Sequence, residues 1–418
     1  MSSLAFTVLF ISFLLISLVV RFWLASRHIR HILANRATVP AQFAGQISLE
    51  AHQKAADYSI AKTKFALFIV LLNAAVLIGF TLMGGLQWLA SASFSVFGDG
   101  WRYQLALVLA FALISGLIEL PFDYFRQFVL EARFGFNRMS PALFFADLFK
   151  STVLSLALGL SLVWITLILM EKSGDLWWLY AWIVWCSFQM LMLVLVPLFI
   201  APMFNKFKPL EDENLRTRIE NLMQRIGFAS SGLFVMDGSR RSAHGNAYFS
   251  GFGAAKRIVF FDTLLERLAP HEIEAVLAHE LGHFKLKHIV KRICVMFAAS
   301  LALLALLGYL KTQAWFFTGL GVEPMMGASN DAMALILFAL VLPVFSFLFS
   351  PLTSLSSRKH EFEADAFAAQ HTSSQDLVSA LVKLYEDNAS TLTPDPLHSA
   401  FYDSHPPASV RINKLLST

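Results

Sequence analysis

The chain has 418 residues, of which 56% are hydrophobic, 40 are Phe and only 15% are charged, whereas soluble globular proteins carry about 25% charged residues. That balance excludes an ordinary water-soluble domain and calls for a bilayer. The net charge of +4 and the pI near 9.0 do not imply a nucleic-acid partner: the basic residues flank apolar runs, where they meet anionic headgroups, and no basic stripe with interleaved aromatics is left over.

In chain order, seven apolar runs at 4–20, 65–86, 103–122, 152–170, 176–200, 293–310 and 333–352 each approach the ~20 residues needed to cross hydrocarbon. The first reads as an uncleaved anchor, because Met1 to Phe6 carries no positive charge and no small-residue cleavage site follows. Of the 33 Lys and Arg, all but Arg102, Lys172 and Lys311 fall in 21–64, 123–150, 201–292 or 353–418. These lie on one side of a seven-span chain, so the positive-inside rule places the N-terminus outside and these segments in the cytosol. Cys186 and Cys294 lie in or beside spans without Cys-x-x-Cys pairing. They are expected to be small buried apolar residues, with no disulfide framework.

Two segments are long enough to build structure outside the bilayer. In 201–292, Pro197 and Pro202 close a span and 206–213 is polar and turn-rich. A helix is expected at 213–226, where Leu215, Ile219, Leu222 and Ile226 recur at helical spacing. Short strands follow at 233–236, 246–249 and 257–262, separated by a turn at 237–239 and a break at Gly251 and Gly253. The segment 353–418 reads as two helices and a loop rich in Pro and Asp at 391–407. The expected organisation is therefore five spans in 1–200, a first extramembrane part in 201–292, two further spans in 293–352 and a second extramembrane part in 353–418.

The sharpest signal is His279-Glu280-Leu281-Gly282-His283. Pro270 at a first helical position, acids in the early turns and then apolar residues predict a helix from 270 onward. A helix turns ~100° per residue, so the two imidazoles lie one turn apart on one face and can chelate one metal ion, with Glu280 placed to reach its water. A catalytic zinc usually takes three protein ligands and keeps one open position. The richest source of a third is Ser357 to Asp365, where Glu361 and Asp365 share a helix face while Glu363, rotated ~200° from Glu361, points elsewhere.

The zinc pentad with Glu361-x-x-x-Asp365, set among seven spans, resembles the type 1 CAAX prenyl endoproteases, integral-membrane gluzincin zinc metallopeptidases, with the bacterial HtpX proteases as distant relatives. Further similar stretches are Pro121 to Tyr124, Phe134 to Asn137, Ile200 to Phe207, Gly238 to Phe249, and Ser404 to Pro407 with Arg411. The resemblance covers nearly the whole chain, and HtpX proteins are shorter with fewer spans. It implies a mainly α polytopic membrane protein of seven transmembrane helices, with a cytosolic-side gluzincin zinc-peptidase domain containing a small β-sheet and a ring of helices around a large chamber. It further implies one Zn2+ held by His279, His283 and Glu361, with Glu280 as general base. Asp365 orients a ligand imidazole or donates a proton, His405 and Asn246 contact the substrate backbone or the developing oxyanion, and Arg411 stands close behind. His244, His271, His288, His360, His371 and His398 match no ligand position and are expected to be surface or structural.

Three functions follow. The first is a zinc endopeptidase acting on peptide or protein substrates delivered by the bilayer, including prenylated C-terminal peptides. The second is a membrane-protein quality-control protease. The third is a transporter or lipid-binding protein with a structural metal, which Glu280 argues against because a structural site has no use for a base. The absence of a lysine-based retrieval signal in Asn413 to Thr418 favours a bacterial inner membrane. Oligomeric state is not encoded in any motif.

Overall fold

The computed structural model describes residues 1–228, 232–250 and 257–417. Its seven long apolar helices are Ser3–Asn35, Leu49–Phe80, Trp101–Glu131, Pro141–Lys172, Gly174–Phe204, His288–Leu310 and Asp331–His371. All seven apolar runs thus become spans, and most continue well past the hydrocarbon. The first runs on through Arg21, Arg27 and Arg30 because nothing before Pro40 breaks it. The second stops at Phe80, short of the expected 86: Gly84 turns the chain at φ 81, and a Cβ on Gly85 would meet the carbonyl of Gly79 at 2.6 Å. A separate helix, Gly85–Phe97, follows.

The spans bury little of themselves. The apolar windows of the third, fifth and sixth are 6%, 0% and 6% buried, against 44% for the last. A solid bundle would hide an inner stripe on each helix; these three windows hide almost none, and what the spans bury together is one apolar core that includes Phe6, Phe10, Leu77, Leu107, Leu307 and Leu337. Cys294, expected to be buried, is exposed on the sixth span for this reason.

Outside the spans a second core forms. Helix Glu213–Ile226, as expected from its periodicity, is capped by the Asp212 side chain on the Leu215 N–H and ended by Gly227 at φ 66. Its Ile219 and Leu222 pack with Ile258 and Phe260 of the sheet, with Ile273, Leu277 and Leu281, and with Leu377 and Ile412. The sheet has four strands: β1 (Phe207–Pro209), β2 (Leu233–Met236), β3 (Ala247–Ser250) and β4 (Arg257–Phe261). Their order is β1-β2-β4-β3, with β2 and β4 parallel and both outer pairings antiparallel. β1 replaces part of the expected polar turn. Three residues ending in Pro carry no alternation, and the strand exists because Phe207 to Pro209 register against Met236 to Phe234, with Pro tolerated on an edge. The glycine break at Gly251 and Gly253 lies outside the described residues.

The expected pair of helices in 353–418 becomes four: Ser350–His371, continuous with the last span, then Ser374–Asp387, Pro396–Tyr402 and Ala408–Leu416. The third sits inside the expected loop, started by Asp395, whose side chain accepts from the N–H groups of Leu397 and His398, with Pro396 at the first position. Towards the end of the last apolar run, Pro343 loosens the ladder into a 3₁₀ turn at Phe347–Phe349 and helix resumes at Ser350. Glu361 therefore sits ~14 Å beyond Leu352 on one rigid rod.

Candidate metal centre

Two helices build the site, Pro270–Lys285 and Ser350–His371. The first has no side chain at its N-cap, Ala269, but Glu272 reaches back to the Ala269 N–H at 2.7 Å while Lys383 and Ser379 bond its carboxylate at 2.7 and 2.6 Å. Burial alone would push the Glu272 carboxyl up; these three donors hold it below its ordinary value. The two helices cross at Gly282, where a Cβ would meet Ala364 Cα and Phe367 Cβ at 3.1 Å. The glycine of the pentad is thus a contact requirement, and with the small Ala364 and Ala368 opposite it lets the carboxylate helix lie against the histidines.

At that crossing His279 Nε2 and His283 Nε2 are 3.2 Å apart, and the two oxygens of Glu361 lie 3.5 Å from the first and 3.3 Å from the second. Bonds of roughly 2.0–2.1 Å to a tetrahedral ion give donor separations of ~3.3 Å, so these three side chains fit one zinc. Glu361 Oε2 is buried without a hydrogen-bond partner among the described residues, an arrangement that costs free energy unless a cation completes it. Asp365 Oδ1 lies 2.9 Å from His279 Nδ1, which puts the ring proton on Nδ1 and frees Nε2. Burial disfavours charge on His279, but Asp365 and Glu361 outweigh it and raise its pKa above the ordinary value.

Arg411 is buried and binds Asp365 bidentately, Nε to Oδ2 at 2.8 Å and Nη2 to Oδ1 at 2.6 Å, with Nη1 3.8 Å from Glu361. It reaches the centre from behind the carboxylates. His405 comes from the loop between the last two helices; its Nε2 lies 3.4 Å from Glu361 Oε1 and its side chain is 62% exposed. Glu280 is half-buried on the same helix as the histidines. Asn246 lies apart: it is exposed at the start of β3, its side chain accepts from the Ala247 N–H and its carbonyl from the Phe261 N–H. A cavity of about 440 Å³ joins His405 and Tyr385 to Tyr58, Lys62 and Thr63 of the second span.

Glu363 turns away from Glu361, as its rotation requires, and meets His288. His288, expected to be surface or structural, is buried, and its ring contacts His283. Spacing could not reveal this, because the approach depends on Lys287 adopting φ 57 between the two helices.

The fold and the centre define an integral-membrane metallopeptidase. Residues 28–206 match the family model described as CAAX prenyl protease N-terminal, five membrane helices, and residues 209–418 match peptidase family M48. The chain is 35% identical to CAAX prenyl protease 1 of Saccharomyces cerevisiae over 90% of its own length and 88% of the relative's, and 35% identical to the CAAX prenyl protease 1 homolog of Arabidopsis thaliana over 90% of each. The crystal structure of S. mikatae Ste24p superposes with TM-score 0.92 at 30% identity, covering 98% of this chain and 99% of that one. The chain belongs to the type 1 CAAX prenyl protease family: it is a multi-pass zinc metalloendopeptidase with a small four-stranded sheet. These matches favour the first of the three functions over the quality-control and structural-metal alternatives.

Proposed function

We propose that His279, His283 and Glu361 hold one zinc ion and that the chain cleaves near the C-terminus of prenylated peptides delivered through the bilayer. The observation that carries this is the meeting of three donors from two helices, 78 residues apart in sequence (361 − 283), at tetrahedral spacing. Bound zinc supplies a water of lowered pKa and polarises the scissile carbonyl. Glu280 takes the proton of the attacking water and passes it to the leaving amine. His405, exposed beside Glu361, donates to the developing oxyanion, a contribution of ~3 kcal/mol by analogy with other oxyanion donors. Asp365, shut behind His279 by Arg411, fixes the tautomer of that ligand; its burial argues against delivery of a proton to substrate. A substrate in extended form adds to the open edge of β3, with Asn246 at the entry, where main-chain hydrogen bonds supply affinity.

The segments 201–292 and 353–418 act as one peptidase unit, since Ile219 and Leu222, the sheet and the C-terminal helices share one apolar core. The orientation proposed is N-terminus outside and metal centre cytosolic, supported by the one-sided distribution of Lys and Arg. The bacterial inner membrane gains nothing from the yeast and plant relatives named above. A farnesylated CAAX peptide, its unlipidated counterpart and an unfolded membrane protein, offered to the purified enzyme, test the substrate assignment. The lipidated peptide is expected to be cleaved fastest, and equal rates on both peptides would remove the prenyl requirement.

A further inference from the structure

The two ligand imidazoles are supported differently. His279 rests directly on a carboxylate, whereas His283 Nδ1 faces another histidine: His288 Nδ1 at 3.0 Å. The far nitrogen of His288, Nε2, lies 2.8 Å from Glu363 Oε2. A carboxylate only accepts, so His288 carries its proton on Nε2 and presents a lone pair at Nδ1. That lone pair accepts the Nδ1–H of His283, which leaves His283 Nε2 unprotonated on the side of His279 and Glu361. One proton pattern satisfies His288 Nε2, His288 Nδ1 and His283 Nδ1 together and leaves His283 Nε2 free, which is what a ligand needs.

We propose that His288 and Glu363 are positioning residues, a relay that fixes the tautomer and ring plane of His283 and thereby sets metal affinity. The backbone is bent to make the contact: Lys287, a non-glycine residue at φ 57, turns the chain between the zinc helix and the sixth span so that His288 folds back on His283. Such left-handed residues cost free energy and persist where surrounding contacts require them. Burial holds His288 in place, and its ring stacks on His360 at 4.1 Å and 14°.

The same cluster has a competing use. Ligand atoms of His288, His360 and Glu363 fall within 4.8 Å of one another, close enough for a second metal ion. Stacked imidazoles carry their lone pairs in parallel planes and cannot converge on one ion without turning. Metal on His288 Nε2 would also force its proton onto Nδ1, against the proton of His283. The relay needs neither change.

This inference rests on His283 being a ligand, so the experiment on purified full-length protein separates the two claims. Zinc affinity is measured by chelator competition, zinc content by elemental analysis, and kcat and KM on a CAAX peptide. H283A tests the parent reading and should lose zinc outright. H288A is expected to bind zinc ~10–100-fold more weakly, the usual cost of losing a group that orients a ligand, with kcat falling more than KM rises. H288N, whose carbonyl oxygen can replace the Nδ1 acceptor, should recover most of that affinity. E363A, at a partly exposed position that does not threaten folding, should show a smaller loss, and the H288A/E363A pair should be no worse than H288A because Glu363 acts through His288. Wild-type zinc affinity in both H288A and E363A, additive losses in the pair, or a second equivalent of zinc that disappears in H288A, H360A and E363A would overturn the relay.

Discussion

The peptidase core and the third to fifth spans differ in how much of themselves they bury. Around the metal centre, helices meet at Gly282, where an added Cβ would lie only 3.1 Å from Ala364 and Phe367, and polar groups such as Glu272 and Asp365 are hydrogen-bonded by side chains of other helices. Along the third to fifth spans, Gly116 and Gly159 have nothing among the described residues within 4 Å of an added Cβ, and large apolar side chains such as Leu117, Phe149 and Phe199 are exposed, although Gly308 of the sixth span packs closely on Trp178. The core holds donor atoms to fractions of an ångström, which dense packing can do. These spans leave most of their apolar side chains to contacts with lipid.

Substitutions should divide along that line. The largest effect is expected from E361A or H279A, which should reduce bound zinc to background by elemental analysis and peptide cleavage with it; retention of zinc in either variant would contradict the donor assignment. G282L comes next. It wedges apart the two helices, with an overpacking cost of roughly 1–3 kcal/mol and a loss of zinc affinity measurable by chelator competition; unchanged affinity would mean that the crossing does not set the donor spacing. Removing the Glu272 carboxylate as E272A frees Lys383 and Ser379 and should lower stability by about 1–3 kcal/mol, read as a drop in thermal midpoint in detergent.

Acidification should act through His398, which stacks on His28 and lies beside Asp395 and Tyr402. Burial pushes His398 down to about 4 from 6.5, with Asp395 opposing. The unfolded chain binds this proton first, so stability is full above pH 6.5 and is lost as pH falls towards 4. The midpoint should decline over that window and decline less in H398F; an equal decline in both would assign the acid sensitivity elsewhere. The smallest effect is expected in the fourth span, where G159A should raise stability by no more than ~1 kcal/mol through helix propensity and leave zinc binding untouched. A loss comparable to that of G282L would erase the distinction between the two regions.

Much of this is legible in the residues. Seven spans follow from apolar length alone, helix Glu213–Ile226 from its 3.6-residue period, and the pairing of His279 with His283 from one helical turn. Glu361 and Asp365 stand out because acids four apart share a face, and Glu363 is set aside by the same rotation; the choice of Glu361 over Asp365 comes with the family resemblance. What stays hidden depends on chain reversals that no local pattern encodes. β1 exists only against its partner strand, and Arg411 finds Asp365 across 46 residues. His288 reaches His283 through one left-handed residue, Lys287. The helix Pro396–Tyr402 does carry its signal, an Asp-Pro start, which the surrounding Pro and Asp obscure.

Replacement of Glu280 by Gln is the most direct test, because it removes the proposed base while leaving both histidines and Glu361 in place. Purified E280Q is expected to keep a full equivalent of zinc and to cleave a CAAX peptide at least ~100-fold more slowly, in line with the loss of a general base. An E280Q protein that retains its zinc and cleaves as fast as the native enzyme would contradict the hydrolytic role given to this centre.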